Sequence, residues 1–421
     1  MTQVSSNLQR RWRFLLQGWQ GVDWLLMGLP VALVTFSTLV IDSTQRISGE
    51  PELAWNHAFL GLIGLVLALV LSRMRYENLL QWQWIIYALT NLSLVAVIFI
   101  GTVGLGAQRW ITIGSFNVQP SEFAKLGVII TLAALLSDRD ASTLWGVGKA
   151  LAVTAIPWVL VFLQPDLGTS LVFGAITLGM LYWANVNPGW LILMVSPLVA
   201  MLLFHFSLPA WLVWSAAMGI IAWLTLPWRL LSTVLATAGN LVTGKVGDLL
   251  WGLLHDYQKD RLILFLDPDK DPLGGGYHLI QSRIAIGAGQ LWGRGFGSGT
   301  QTQLDFIPEQ HTDFIFSAVG EEWGFIGAMV MLSVFWLICL RLVIVAQNAK
   351  DNFGSLLAIG MLSMIVFQVT INIGMTIGLA PVTGIPLPWM SYGRSALLTN
   401  FIGIGLVESV ANYRRRLKFT D

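Results

Sequence analysis

About twelve runs of roughly 20 apolar residues divide this chain, and that pattern decides what it can fold into. Backbone polar groups inside a bilayer must be satisfied within the membrane, which a helix does by itself. Runs of spanning length fall at roughly 23–41, 54–72, 83–104, 120–137, 147–164, 168–185, 189–206, 208–228, 230–254, 313–338, 354–377 and 395–412. Only 11% of the 421 residues are charged and 55% are hydrophobic, whereas a soluble domain carries about 25% charge. The sequence therefore predicts an all-α polytopic integral membrane protein of ten to twelve transmembrane helices. It forms one domain over 1–421, with a large extracytoplasmic loop at about 255–312. The run at 230–254 is the weakest, because Asn240, Lys245 and Asp248 interrupt it. It is expected to be amphipathic, with its polar side against protein or water.

Cationic residues orient the spans. Arg10, Arg11 and Arg13 precede the first run, and Arg414, Arg415, Arg416 and Lys418 follow the last. By the positive-inside rule both termini are expected in the cytoplasm, which requires an even number of crossings. The segments 42–53, 255–312 and 378–394 then lie outside. No small-residue cleavage site follows the first run, so no cleavable signal peptide is expected. The one cysteine, Cys339, cannot form an internal disulfide, and the net charge of +1 argues against a nucleic-acid partner.

Chemistry concentrates where the apolar pattern breaks. The stretch 255–322 is Gly-rich and ionisable, and it runs straight into an apolar span. Asp313 stands at the mouth of that span, and Asp313, Ser317, Glu321 and Gly324 recur at helical spacing, making one polar stripe. Two readings of Asp313 follow: a helix N-cap, or a charged group facing a cavity. Glu122 and Lys125 lie three residues apart behind Pro120. They form either an ion pair tying helices together or a cation turned towards an anionic ligand. Asp166 follows Gln164-Pro165, where a helix must end or kink, and it either caps the next helix or lines a cavity. Arg109 beside Trp110 is either an interfacial anchor or a bidentate phosphate ligand. The Asp267–Asp271 run lacks the glycine and distal glutamate of a calcium loop, and the glycines of 287–297 follow no strand, so they suit close backbone packing rather than a dinucleotide. His255, His278 and His311 lack zinc-ligand spacing.

Several motifs resemble those of the SEDS (shape, elongation, division, sporulation) family of peptidoglycan glycosyltransferases, and they occur in the family's order along nearly the whole chain. They are GAQRW (106–110), QPSEFAK (119–125), QPDLGTS (164–170), FLDPDKDPLGGGYHLIQS (265–282), GTQTQLDF (299–306), PEQHTDFIF (308–316), NIGM (372–375) and GIPLPWMSYG (384–393). The DPLGGGYH and GTQ elements resemble the RodA branch more than the FtsW branch. Three departures stand out: Arg394 replaces a glycine, GAGQL replaces GSGGL, and the region 189–254 is longer by roughly two spans.

The resemblance implies a multi-pass protein of the bacterial cytoplasmic membrane that polymerises lipid II at its outer face for cell elongation and shape. It implies Asp313 as catalytic base. It further implies a substrate-binding set of Arg109, Glu122, Lys125, Asp166, Gln281, Ser282, His311, Thr312 and Ser391, and it leaves a divalent cation, Mg or Mn, as a cofactor expectation. The implied partners are a class B penicillin-binding transpeptidase and other membrane proteins of the elongation complex. A transporter or flippase for a lipid-linked precursor explains polar groups in spans equally well, and a scaffold without chemistry is a third class. A large outer loop with an acid at a helix mouth favours the enzyme.

Overall fold

The computed structural model describes residues 22–46, 52–104, 107–114, 116–138, 142–253, 256–272, 274, 276–307 and 309–413. The cationic clusters of both termini, Pro308 and His255 lie outside these residues. Twelve long helices correspond one to one with the apolar runs. They are α1 (Trp24–Gln45), α2 (Glu52–Leu71), α3 (Leu79–Ile100), α4 (Pro120–Leu136), α5 (Leu144–Leu163) and α6 (Leu167–Trp183). After these come α7 (Pro188–Phe206), α8 (Leu208–Thr225) and α9 (Arg229–Leu253). Three short helices lie in the large loop, α10 (Asp256–Leu266), α11 (Tyr277–Gly289) and α12 (Thr300–Gln303), and α13 (Ile315–Gln347), α14 (Asn352–Ile377) and α15 (Arg394–Asn412) close the chain. Among the described residues, nine helices are long and apolar enough to cross a membrane.

Between α3 and α4 a small antiparallel sheet runs β1 (Thr102–Gly104), β2 (Ala107–Ile113) and β3 (Phe116–Val118), in that order. Ile111 pairs with Val118 and Thr102 with Trp110. The sheet carries Arg109 and Trp110.

Helix α4 is the hub: nearly every one of its residues is buried, from Pro120 at the first turn to Leu136. Small residues let neighbouring helices approach, as is usual where lipid gives helices no hydrophobic drive to associate. A Cβ at Gly405 of α15 would sit 2.7 Å from Ala68 of α2. The weak run at 230–254 folds as one 25-residue helix, α9. Its Asn240 is buried and donates to Ser196 Oγ of α7 at 3.1 Å, while Trp211 of α8 donates to the Asn240 carbonyl at 3.1 Å. The polar side of α9 thus faces protein; the side chains of Lys245 and Asp248 lie outside the described set.

The bundle has two polar ends. One holds Asp23 paired with Arg341, the Asp23 amide on Glu408 Oε1 at 2.7 Å, and the Tyr76 hydroxyl on Asp351 Oδ2 at 2.8 Å. The other gathers the end of α1, the sheet, the α5–α6 junction, the large loop and the segment 378–394.

Helix α13 is broken. Gly324 has φ +64°, ψ −163°, so the helix is two pieces, an upper half from Ile315 to Trp323 and a lower half from Phe325 onward. The apolar run resumes at Phe325, directly after this point, and its length gives no sign of a break.

Candidate active site at the mouth of the broken helix

Asp313 lies two residues before the first turn of α13, outside the span itself. The N-cap position is Phe314, and no side chain caps the helix there. The capping reading of Asp313 therefore does not describe this chain. The residue is half-buried as a whole, while its carboxyl end is enclosed by protein. That burial pushes the carboxyl up to about 6; Glu309 adds to the rise, Arg261 opposes it, Asp166 adds and Arg109 opposes. Two arginines and three carboxylates thus share one electrostatic neighbourhood.

The backbone of Asp313 is pinned from below. Asn372 of α14, fully buried, donates to the Asp313 carbonyl at 2.9 Å and to the Ile385 carbonyl at 2.8 Å. Beside the carboxyl, Gly384 adopts φ +72°, a conformation open to glycine at little cost. A Cβ there would lie 3.4 Å from Asp313 Oδ2 and 3.9 Å from Arg261 Nη1. The segment after α14 therefore passes bare backbone between the aspartate and the α10 arginine.

Asp166 follows the capping alternative of its sequence reading and also meets Arg109. It caps α6, accepting from the Thr169 amide at 3.1 Å and the Thr169 hydroxyl at 3.0 Å. It also stands 3.8 Å from Arg109 Nη1, and Gln119 donates to it at 3.4 Å. Arg109 further donates to the Pro165 carbonyl at 2.5 Å, so the sheet is fastened to the α5–α6 junction by a cation whose charge also acts on Asp313.

The other sequence candidates occupy different positions. Glu122 and Lys125 form a sealed ion pair at 2.8 Å inside α4, both almost wholly inaccessible, which is the arrangement of the structural alternative. Ser282 is fully buried and bridges Ser317 Oγ at 2.6 Å and the Thr376 carbonyl at 2.7 Å, locking α11 to α13 and α14; Gln281 is half-buried next to it. His311 contacts Gln45 through Nδ1 at 3.2 Å and accepts from the Tyr392 amide at 2.9 Å through its carbonyl. Thr312 donates to Glu309 Oε2 at 2.9 Å. Ser391 accepts from the Leu387 amide at 2.8 Å, closing the turn of the 384–393 segment.

Two residues at the centre, Arg261 and Asn372, were not singled out by sequence reasoning. Arg261 is one of several cations in the 255–312 loop, and nothing local in the sequence distinguishes it from Lys259, Lys270, Arg283 or Arg294. Asn372 stood in a quoted motif, but its partners are distant in sequence. Among the described residues no three His, Cys, Asp or Glu side chains converge as they would around a metal ion. A cavity of about 830 Å³ lies at the other end of the bundle against Leu136, Asp138, Tyr182 and Asn352, away from Asp313.

Known proteins similar to this chain identify its family. The family model described as "Cell cycle protein", covering FtsW, RodA and SpoVE, matches residues 21–416. The peptidoglycan glycosyltransferase MrdB of Escherichia coli K12 is 35% identical over 398 residues, spanning 94% of this chain and 95% of MrdB. A chain from a peptidoglycan synthase complex, solved to explain how polymerization and crosslinking are coordinated, superposes with TM-score 0.70 at 29% identity, covering 94% of this chain and all of that one. The rod shape determining protein RodA of Thermus thermophilus superposes with TM-score 0.63 at 26% identity, over 94% of this chain and 99% of RodA. The chain belongs to the FtsW, RodA and SpoVE family of cell cycle proteins.

Proposed function

We propose that this multi-pass membrane glycosyltransferase builds glycan strands from lipid II, with Asp313 as the general base. The observation that carries this reading is one carboxylate at a helix mouth, with the Arg261 guanidinium across Gly384 from it. The 4-hydroxyl of one sugar attacks the anomeric carbon of the next. The new O4–C1 bond forms as the bond from C1 to the diphosphate oxygen breaks, and undecaprenyl diphosphate leaves with the electron pair. The proton of the attacking hydroxyl passes to Asp313. A hydroxyl is a poor nucleophile at neutral pH, and a positioned base typically contributes about 10²–10⁴-fold. Arg261 and Arg109 face the charge that develops on the leaving diphosphate, where preorganised cations act most strongly.

The Mg or Mn ion expected from the family does not fit a protein-made centre, since no three ligating side chains converge among the described residues. Such an ion, when bound with substrate, would help neutralise the charge of the diphosphate. The polar end containing Asp313 faces outward and both termini are cytoplasmic in this reading, by the distribution of Arg and Lys. A class B penicillin-binding transpeptidase, which would cross-link the product, is the proposed partner, and cell elongation the proposed role.

The test is direct. The purified chain in nanodiscs is given lipid II, and products are separated by length. Polymer from the wild type and none from a folded Asp313→Asn variant is the expected result. Asn matches Asp in shape and lacks basicity, so normal polymer from that variant would return Asp313 to a structural role. Movement of lipid II across the membrane without polymer would instead support a transporter.

A further inference from the structure

We propose that Glu321 and Glu322, on the upper half of α13, are positioning residues that hold the half-helix leading out of Asp313 in its working orientation. This rests on the reading of Asp313 as the base.

The argument begins with the break at Gly324. Interrupting a helix inside a bilayer leaves backbone donors and acceptors without partners, which is tolerated only where protein satisfies them. Here the loop after α11 does so on both sides of the break. The amides of Arg294 and Gly295 donate to the carbonyls of Glu321 and Glu322 at 2.9 and 3.0 Å. The carbonyls of Gln290 and Leu291 accept from the amides of Phe325 and Ile326 at 2.9 and 3.1 Å. The loop is thereby spliced into the helix as its missing turn. Backbone-to-backbone approach this close needs glycine: a Cβ at Gly324 would stand 2.8 Å from the Trp292 carbonyl carbon, and Gly293 has φ +83°.

The two glutamates add side-chain holds at the same joint. Glu321 is wholly inaccessible, and its carboxylate accepts the amides of Gln301 and Thr302, each at 2.9 Å, and the hydroxyls of Thr300 and Thr302. A single carboxylate thereby gathers the first turn of α12. Glu322, also buried, accepts from Ser43 Oγ of α1, and Gln303 of α12 donates to the Ser43 carbonyl at 2.9 Å. Upper half-helix, loop, α12 and α1 thus meet at two carboxylates. Higher up, Ser317 on the same half-helix touches Ser282 of α11. Asn372 holds the Asp313 carbonyl, and the joint sets the tilt of the half-helix that follows it across the break at Gly324.

The charges that act most on Asp313 are Glu309, Arg261, Asp166 and Arg109. Glu321 and Glu322 act on the base through the geometry of the joint. A loosened joint lets the upper half tilt and admits water to the Asp313 carboxyl.

The experiment measures lipid II polymerisation by Glu321→Gln and Glu322→Gln in nanodiscs across pH, with wild type and Asp313→Asn as references. Glutamine places an amide against the donors that the carboxylate accepts. The expected result is kcat reduced by about 10–100-fold, the scale of a small misplacement of catalytic groups, with KM within about twofold. The acid-side midpoint of kcat should also move from about 6 towards an ordinary carboxylate value near 4. Loss of folded protein with kcat per folded molecule and midpoint unchanged would overturn the proposal, as would wild-type behaviour. Should either Gln variant fail to fold, Thr302→Val and Ser43→Ala each remove one donor from the joint and must shift the midpoint the same way. Wild-type protein that makes no polymer would overturn the substrate reading instead, leaving a distinct signature.

Discussion

The side-chain amide of Asn372 ties the backbone carbonyl of Asp313 to that of Ile385, at 2.9 and 2.8 Å. Residues 59 positions apart in sequence are joined by one part-buried bond. It holds the base and the external segment that borders it in fixed register. Asn372→Ala leaves two buried carbonyls without a donor, at about 1–3 kcal/mol each in the limit of full burial. We expect reduced thermal stability, and turnover lower by about tenfold or more because the base is no longer held from below. Comparing kcat with melting temperature across Asn372→Ala and Asn372→Gln checks this. An Ala variant equally stable and fully active would show that the bridge is incidental.

The carboxyl of Asp313 has its proton affinity raised to about 6, chiefly by burial and secondarily by Glu309. The sign follows directly. A base must be ionised, the ionised form exists above this value, and a raised value moves the loss of base to higher pH. Activity should therefore fall as pH drops through about 6, not near 4 as an ordinary carboxylate would give. Glu309→Gln removes the largest charge contribution to the rise, so its midpoint should lie below that of the wild type. A pH profile of kcat/KM for both proteins decides it, and an unmoved midpoint in Glu309→Gln would count against Asp313 as the titrating group.

Much of this architecture was legible in the sequence because lipid demands long apolar runs, and each of the twelve long helices coincides with one. Asn240 was legible in part: a polar residue in a weak span was expected against protein or water, and it meets Ser196. The break in α13 was not legible, since Phe325 to Leu332 continue the apolar run and only the geometry of Gly324 betrays it. The glycines of the 287–297 loop signalled close packing, but what they packed against lay some 30 residues on. Asp313 was singled out correctly as a group at a span mouth, yet Arg261 and Asn372 owe their place to contacts across the bundle. Local spacing carries no trace of such contacts.

Glu122 and Lys125 make a prediction of their own. A buried pair is weak evidence for stability, but removing one partner leaves an uncompensated charge, at about 3–5 kcal/mol. Lys125→Met and Glu122→Gln should each yield little folded protein. The double variant should recover much of the loss if the pair only ties α4 together. Fluorescence-detected gel filtration of the three variants measures this. Polymerisation by the recovered double variant then separates structure from substrate binding: activity restored with folding removes Lys125 from the binding set.

Arg394 offers a partner that sequence reading did not anticipate. Its guanidinium lies over the Phe116 ring at 5.2 Å and its Nε contacts the Tyr392 hydroxyl at 3.4 Å. The cation therefore spans from α15 to the sheet that carries Arg109. A contact of this kind at a partly exposed site contributes about 0.5–1 kcal/mol. Arg394→Gly should raise KM for lipid II by about two- to fivefold through a looser sheet, with kcat little changed. Phe116→Leu should do the same, and the two effects should not add, because they break one contact. Independent, additive effects would show that Arg394 acts elsewhere, for example directly on phosphate.

Arg261 bears on how the leaving group is handled. It is on α10 and approaches the same point beside Gly384 as the Asp313 carboxylate. It also lowers the proton affinity of Asp313, so it acts on the base as well as facing the substrate. These two roles separate by substitution. Arg261→Lys keeps a positive charge and loses the bidentate fork, while Arg261→Gln loses both. If the charge on Asp313 is what matters, Lys should preserve the pH midpoint and most of kcat. If the fork on the diphosphate matters, Lys should lose about tenfold or more in kcat/KM with the midpoint unmoved. Gln should lose more in either case and shift the midpoint upward, because the attraction that favours the ionised carboxylate is gone. We expect the second pattern, since a diphosphate leaving group presents paired oxygens that a guanidinium matches and an ammonium does not. A Gln variant with wild-type kcat/KM across the pH range would remove Arg261 from the site.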